Sequence, residues 1–149
     1  MRKLTNNSGL FCNDLPSKFQ PNIGKILVTG ASGYIGGRLV SELLSRGYKV
    51  RIMVRGERKE YSELWPDAEV VVADALNLES LNEALKDIDT AYYLIHSLRL
   101  GPKKFGLVDL EVAGNFRKAA EERKIKRIIY MGGLGDVRSS LSSHLRSRA

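Results

Sequence analysis

Cysteine is all but absent from this sequence: Cys12 stands alone among 149 residues. A single cysteine closes no intrachain disulfide, and so Cys-poor a chain fits a reducing compartment, which makes the cytoplasm the expected location. Long apolar runs are also missing. The longest span about five residues, against the ~20 of a membrane-crossing helix, so no membrane partner is expected. Met1, Arg2 and Lys3 open the chain with positive charge. Asn6, Asn7, Ser8, Asn13 and Asp14 then break up the apolar stretch that a secretory signal requires. No zinc-ligand spacing and no aromatic RNA-binding motif is present, so neither a metal nor nucleic acid is expected. The net charge of +7 comes from Lys and Arg interleaved with acids; the densest groups run from Arg55 to Lys59 and from Arg123 to Arg127.

What is there is ordinary for a globular domain, with 43% hydrophobic and 28% charged residues. Residues 1–22 read as a polar N-terminal extension, and 23–149 as one domain large enough to bury a core without disulfides. From residue 24 onward, short apolar runs alternate with amphipathic stretches, the pattern of βα repeats around a parallel sheet. Strands are expected at Lys25–Thr29, Lys49–Val54 (with Val50, Ile52 and Val54 on one face), Glu69–Ala73, Thr90–Ile95 and Arg127–Met131. Helices are expected at Tyr34–Arg46, Ser80–Ile88 and Phe105–Arg123, the last with a stripe of Phe105, Val108, Val112, Phe116 and Ala119. Gly47 stands where a helix C-cap belongs. A further helix begins near Ser142. Right-handed crossovers arrange five such strands as a doubly wound, Rossmann-like α/β sheet of three layers, order 3-2-1-4-5. A sheet of this type usually continues, so the fold is expected to be incomplete at the C-terminus. The edge beside the fifth strand would then be open, and a homodimer could hide it.

The segment Gly30-Ala-Ser-Gly33-Tyr-Ile-Gly36, followed by Gly37, lies between the first strand and the first helix. Dinucleotides need glycine at this spacing. Gly30 permits the tight turn, Gly33 lets the backbone approach a pyrophosphate, and Gly36 lets the helix pack closely. The free N–H groups at the helix start, at Tyr34 and Ile35, face the phosphates along the helix dipole, and Ser32 can add a hydroxyl donor. The second strand ends in Val54-Arg55-Gly56. NAD-preferring sites usually place Asp or Glu here for the ribose 2′-hydroxyl, whereas Arg accommodates the 2′-phosphate of NADP. NADP(H) is therefore the expected cofactor and NAD(H) the second candidate. Arg58 and Lys59, read as a basic loop, could join Arg55. Asp74, beside Ala75 at the end of the third strand, leaves two readings open: an acceptor for the adenine amino group, or a turn or N-cap aspartate.

Gly30 to Gly37, Asp74 and the stretch Tyr92-Tyr-Leu-Ile-His-Ser97 resemble the short-chain dehydrogenase/reductase superfamily. They are most similar to its atypical and extended branch, the NAD(P)-dependent epimerase and nitrogen-metabolite-repression-regulator-like proteins. Asn115-Phe-Arg-Lys-Ala-Ala120 and Lys126-Arg-Ile-Ile-Tyr-Met-Gly-Gly133 add to the likeness, which covers residues 24 to 149. The resemblance implies that Asp74 binds adenine. It also implies that Ile95, His96 and Ser97 line the adenosine ribose and the path to the nicotinamide.

The chain departs from that family where the family does its chemistry. The usual Ser after the fifth strand is replaced by Gly132-Gly133, and the usual Tyr-x-x-x-Lys appears as His144-Leu-Arg-Ser-Arg148. The i, i+4 spacing survives. His144 could act as a general acid near neutral pH, and Arg148 could hold ribose or phosphate oxygens but not shuttle a proton. Two function classes stay open: an NADPH-dependent oxidoreductase or epimerase acting on an unknown small molecule, and a non-catalytic NADP(H)-binding sensor or structural module.

Overall fold

The structure is a computed structural model, and it describes residues 18–95 and 105–133. Five strands form one parallel sheet in the order β3-β2-β1-β4-β5, with the expected Rossmann topology. The strands are β1 (Ile26–Thr29), β2 (Val50–Val54), β3 (Glu69–Val72), β4 (Thr90–Tyr93) and β5 (Arg127–Tyr130); the helices are α1 (Tyr34–Ser45), α2 (Arg58–Leu64), α3 (Leu78–Ala84) and α4 (Phe105–Glu122). In register, Ile26 lies beside Val50 and Thr90, and Thr90 beside Arg127.

Alternate residues of each strand feed two cores, one on each face. Ile26, Val28, Val50, Ile52, Val54 and Val70 pack with Val40 and Leu43 of α1, and with Trp65 just after α2. Leu27, Met53 and Ala91 pack on the other face with Leu81 and Ala84 of α3 and with Val112, Phe116 and Ala119 of α4. Covering both faces is what lets a parallel sheet read as near-continuous apolar runs. Val50, Ile52 and Val54 do share a face, but Arg51 and Met53 are buried on the opposite one as well.

The elements differ from the sequence expectation at their ends and in one helix. The basic loop expected after Arg55 is helix α2; with seven residues and only Tyr61 and Leu64 facing the core, it shows little periodicity to find. Helix α3 starts at Leu78 rather than Ser80, because the Asn77 side chain caps it by accepting from the Ser80 N–H at 3.0 Å. It ends at Ala84, yet Leu85 and Ile88 stay in the core from the following turn, where Asp87 takes a left-handed φ of 58°. Gly47 follows α1 at φ 83°, donating to the Leu44 carbonyl at 2.9 Å, as a helix-ending glycine does.

The amino ends of the strands are tied by charge. Arg51, buried, donates through Nη1 to the Ala84 and Lys86 carbonyls and through Nη2 to Glu69 at 2.8 Å. Lys25 reaches the same carboxylate at 3.1 Å. Asp89 accepts from the Lys25 N–H and from Lys126 Nζ. These cations hold the carboxyls of Glu69 and Asp89 below the usual carboxylate range, Arg51 acting most on the first and Lys126 on the second. The β5 edge is open among the described residues, with Ile128 and Tyr130 each nearly half exposed.

Candidate functional site

The strand order reverses between β1 and β4: from β1 the chain moves outward to β2 and β3, then returns to β4. In doubly wound sheets, ligands bind beyond the carboxyl ends of the strands at this point. Thr29 closes the bottom of the crevice. Its hydroxyl donates to the Tyr92 carbonyl at 3.0 Å and accepts from the Leu94 N–H at 2.9 Å, so it holds β4 to β1 one step past their last paired residues. The side chain is fully buried. Thr29 was not singled out by sequence; the available signal is a hydroxyl residue in an apolar strand, directly before Gly30.

The glycine loop is shaped by backbone contacts that leave no room for side chains. Gly30 has φ 67°, and a Cβ there would lie 2.8 Å from the Leu94 carbonyl oxygen. A Cβ on Gly36 would lie 2.2 Å from the Gly30 carbonyl oxygen and 2.9 Å from the Ala31 Cα. The Gly33 N–H donates to the Gly30 carbonyl at 2.9 Å, and the Gly37 N–H closes the first helical turn onto the Gly33 carbonyl at 3.0 Å. Helix α1 has Gly33 as its N-cap and no side-chain cap. Among the described residues, nothing accepts from the N–H groups of Tyr34, Ile35 or Gly36. Those donors, the positive end of the α1 dipole and the exposed Ser32 together form a cradle for an anionic group. The cradle fits a dinucleotide pyrophosphate: it is bare of side chains where a phosphate must approach and lined with unpaired donors.

Two further strand ends border the loop. Arg55, exposed, follows β2, and no described carboxylate pairs with it. Asp74, exposed, follows β3. Its Oδ1 accepts from the Leu76 N–H at 3.0 Å, and its own N–H donates to Ser80 Oγ at 2.9 Å. Asp74 is thus a turn aspartate, with Asn77 doing the capping, and its second carboxylate oxygen has no described partner. Asn115 on α4 braces this loop by donating to the Ala75 and Leu76 carbonyls at 3.3 and 3.2 Å. Ala75 itself is buried.

Ile95, just past β4, borders a cavity of about 310 Å³ between the sheet and α4, with Tyr93, Phe116, Ile128 and Tyr130 among its walls. A larger groove between α3 and α4 is crossed by the Asn82–Glu122 and Arg123–Glu83 contacts and shares no residue with the glycine loop. The structure therefore gathers Gly30, Ser32, Gly33, Tyr34, Ile35 and Gly36 in one loop and places Arg55 and Asp74 at the ends of successive strands. His96, Ser97, His144 and Arg148 lie outside the described residues, as do Cys12 and the start of the expected last helix. Among the described residues, no helix is long and apolar enough to cross a membrane.

Comparison with known proteins agrees with this geometry. Residues 30–147 match a family described as NAD(P)H-binding. Cinnamoyl-CoA reductase 1 of Petunia hybrida is 31% identical over 121 residues, a match covering 75% of this chain and 36% of that protein. Among solved structures, a nucleoside-diphosphate-sugar epimerase from Staphylococcus aureus shares the fold at TM-score 0.71 and 24% identity, over 83% of this chain and 43% of that one. The Citrobacter sp. triphenylmethane reductase complexed with NADP(H) superposes at TM-score 0.65 with 25% identity, over 83% of this chain and 43% of that one. The chain spans about a third of the length of the curated relatives it matches.

Proposed function

The chain belongs to the NAD(P)H-binding family, and on that premise we propose that it is the NADPH-holding part of an oxidoreductase. NADPH, when bound, supplies a hydride. The observation that carries the choice of NADPH is Arg55, exposed at the end of β2 with no described carboxylate to neutralise it. A carboxylate at that place accepts from a ribose 2′-hydroxyl and repels a 2′-phosphate; a guanidinium attracts the phosphate. Glu57, two residues on, caps α2 with its backbone alone.

The other roles follow from position. The N–H groups of Tyr34, Ile35 and Gly36 and the Ser32 hydroxyl hold the pyrophosphate, with Gly30 and Gly33 keeping its approach clear. The free oxygen of Asp74 accepts from the adenine amino group beside Ala75. Ile95, His96 and Ser97 line the ribose and the way to the nicotinamide. His144 takes the proton-transfer role and Arg148 holds ribose oxygens. The substrate is a small molecule that accepts the hydride, a reading supported by the reductases among the relatives. They favour turnover over a purely binding role. The single cysteine supports work in a reducing compartment, the cytoplasm. Self-association over the open β5 edge would cover Ile128 and Tyr130, and sedimentation of the purified chain tests it.

Calorimetric titration of the chain with NADPH and, separately, NADH tests the central reading. Micromolar NADPH binding with much weaker NADH binding is expected. A folded chain that binds neither would refute it. Turnover is tested separately, in a protein containing this chain and able to transfer hydride: His144→Ala should abolish reduction and leave NADPH affinity in place.

A further inference from the structure

Arg38 stands one helical turn after Tyr34 on α1, and its guanidinium carbon lies 4.2 Å from the centroid of the Tyr34 ring. Long side chains on a helix lean toward its N-terminus, so Arg38 carries its charge up toward the glycine loop. The face of α1 to which it belongs is marked by Ser41, three residues on. Ser41 accepts from Trp65 Nε1 at 3.1 Å, and Trp65 directly follows α2. This stripe of α1 therefore looks toward α2, where the Tyr61 ring stacks on Trp65 with centroids 6.5 Å apart and leads back to the corner where β2 turns into the helix. At that corner the Tyr61 ring packs so close to Gly56 that a Cβ there would lie 3.3 Å away.

Arg38 is poorly satisfied where it stands. Its Nε is buried with no hydrogen-bond partner among the described residues, and no described carboxylate pairs with it. The other arginine of this helical region, Arg46, is paired with Glu42 at 2.6 Å. A buried, unmatched N–H on a cation costs free energy that an arriving acceptor would recover. In the sequence Arg38 reads as solvated surface, as any arginine inside an amphipathic helix does.

We propose that Arg38 is a second guanidinium of the 2′-phosphate subsite, held over the Tyr34 ring and acting with Arg55. The inference rests on the NADPH reading above. Its chemistry is the same: a dianionic phosphate on the adenosine ribose has oxygens for more than one cation, and a planar guanidinium meets phosphate oxygens in pairs. Helix α1 would supply one such group, Arg38, and the end of β2 the other, Arg55. Tyr34, two-thirds exposed, has a role besides its backbone N–H: its ring face restrains the cation, as aromatic faces do.

The test is the ratio of NADPH to NADH affinity, by calorimetry on the purified chain. Arg38→Ala should weaken NADPH by about tenfold or more, the worth of a charge-assisted hydrogen bond, and leave NADH within about twofold. Arg38→Lys keeps charge without the planar fork and should fall between. An Arg38→Ala chain with unchanged NADPH affinity, in a protein that still prefers NADPH, overturns the assignment and leaves the cofactor reading standing. An equal loss for both nucleotides also overturns it, because that is damage to the glycine loop. A folded parent chain that binds neither nucleotide overturns both readings. A second measurement needs no variant: the Arg38 Nε–H resonance of the unaltered protein should shift with 2′,5′-ADP and not with 5′-ADP. The same shift with both ligands, or none, would count against the proposal even if Arg38→Ala fails to fold.

Discussion

Replacing Gly36 by alanine should damage the cofactor site more than the fold. The added Cβ would meet the Gly30 carbonyl oxygen at 2.2 Å, the Gly30 carbonyl carbon at 2.7 Å and the Ala31 Cα at 2.9 Å. All three are backbone atoms, so no rotamer change relieves the clash. Gly30 is itself closely flanked: its φ is 67°, and a Cβ on it would lie 2.8 Å from the Leu94 carbonyl oxygen. The start of α1 must therefore move outward by about 1 Å to restore ordinary contact. Overpacking of this kind costs about 1–3 kcal/mol, offset by the roughly 1 kcal/mol that alanine gains over glycine inside a helix. Net stability should fall by at most about 2 kcal/mol. The free N–H groups of Tyr34 and Ile35 move with the helix, however, and each hydrogen bond to the pyrophosphate lost in this way weakens binding by about tenfold or more. Urea denaturation and NADPH calorimetry on the same sample separate the two effects. Gly114→Ala is the control, since nothing lies within 4 Å of a Cβ there and the residue sits inside α4; it should stabilise by about 1 kcal/mol and leave binding alone. A Gly36→Ala chain that binds NADPH as tightly as its parent would refute the argument.

Other outcomes follow from the same contacts. Arg55→Asp should turn the preference from NADPH toward NADH, read as a reversal in the ratio of their dissociation constants; a ratio that stays put removes Arg55 from the subsite. Thr29→Val keeps the shape but strips both hydrogen bonds, leaving the Tyr92 carbonyl and the Leu94 N–H unmatched. It should cost about 1–3 kcal/mol in urea denaturation, and a neutral result would show that the two strand ends do not need the latch. Acid should loosen the amino end of the sheet. The carboxyls of Glu69 and Asp89 are held below their ordinary values of 4.5 and 3.8 by Arg51 and Lys126 respectively. Their contribution is therefore complete above those values and is lost as pH falls through the lower, folded-state values. The fall in urea midpoint between pH 5 and pH 2 should be shallower in Glu69→Gln than in the parent, because the variant has no carboxyl there to protonate; identical slopes would show that the Arg51 and Lys25 pairing contributes nothing.

The order of elements was legible in sequence because it rests on local patterns. Apolar runs bounded by glycine, a glycine loop between strand and helix, and right-handed crossovers leave one arrangement of five strands. The bare glycine loop was legible for the same reason: Gly30, Gly33 and Gly36 shape it through backbone geometry that spacing alone specifies. Helix α2 was not, because seven residues with two core contacts carry too weak a period to stand out from a charged loop. Nor was the use of charge inside the fold. Arg51 reads as the polar member of an alternating strand, yet it is buried between β3 and the end of α3, where two carbonyls and Glu69 receive it. Thr29, Arg38 and Asn115 each act on residues distant in sequence or on a neighbouring element's surface, and only folding brings those together. The sequence by itself determined the sheet, its switch point and the bare loop that a dinucleotide requires. Tertiary structure alone decided which polar side chains were satisfied by the protein and which were left facing that loop, because hydrogen-bond partners are set by proximity in space.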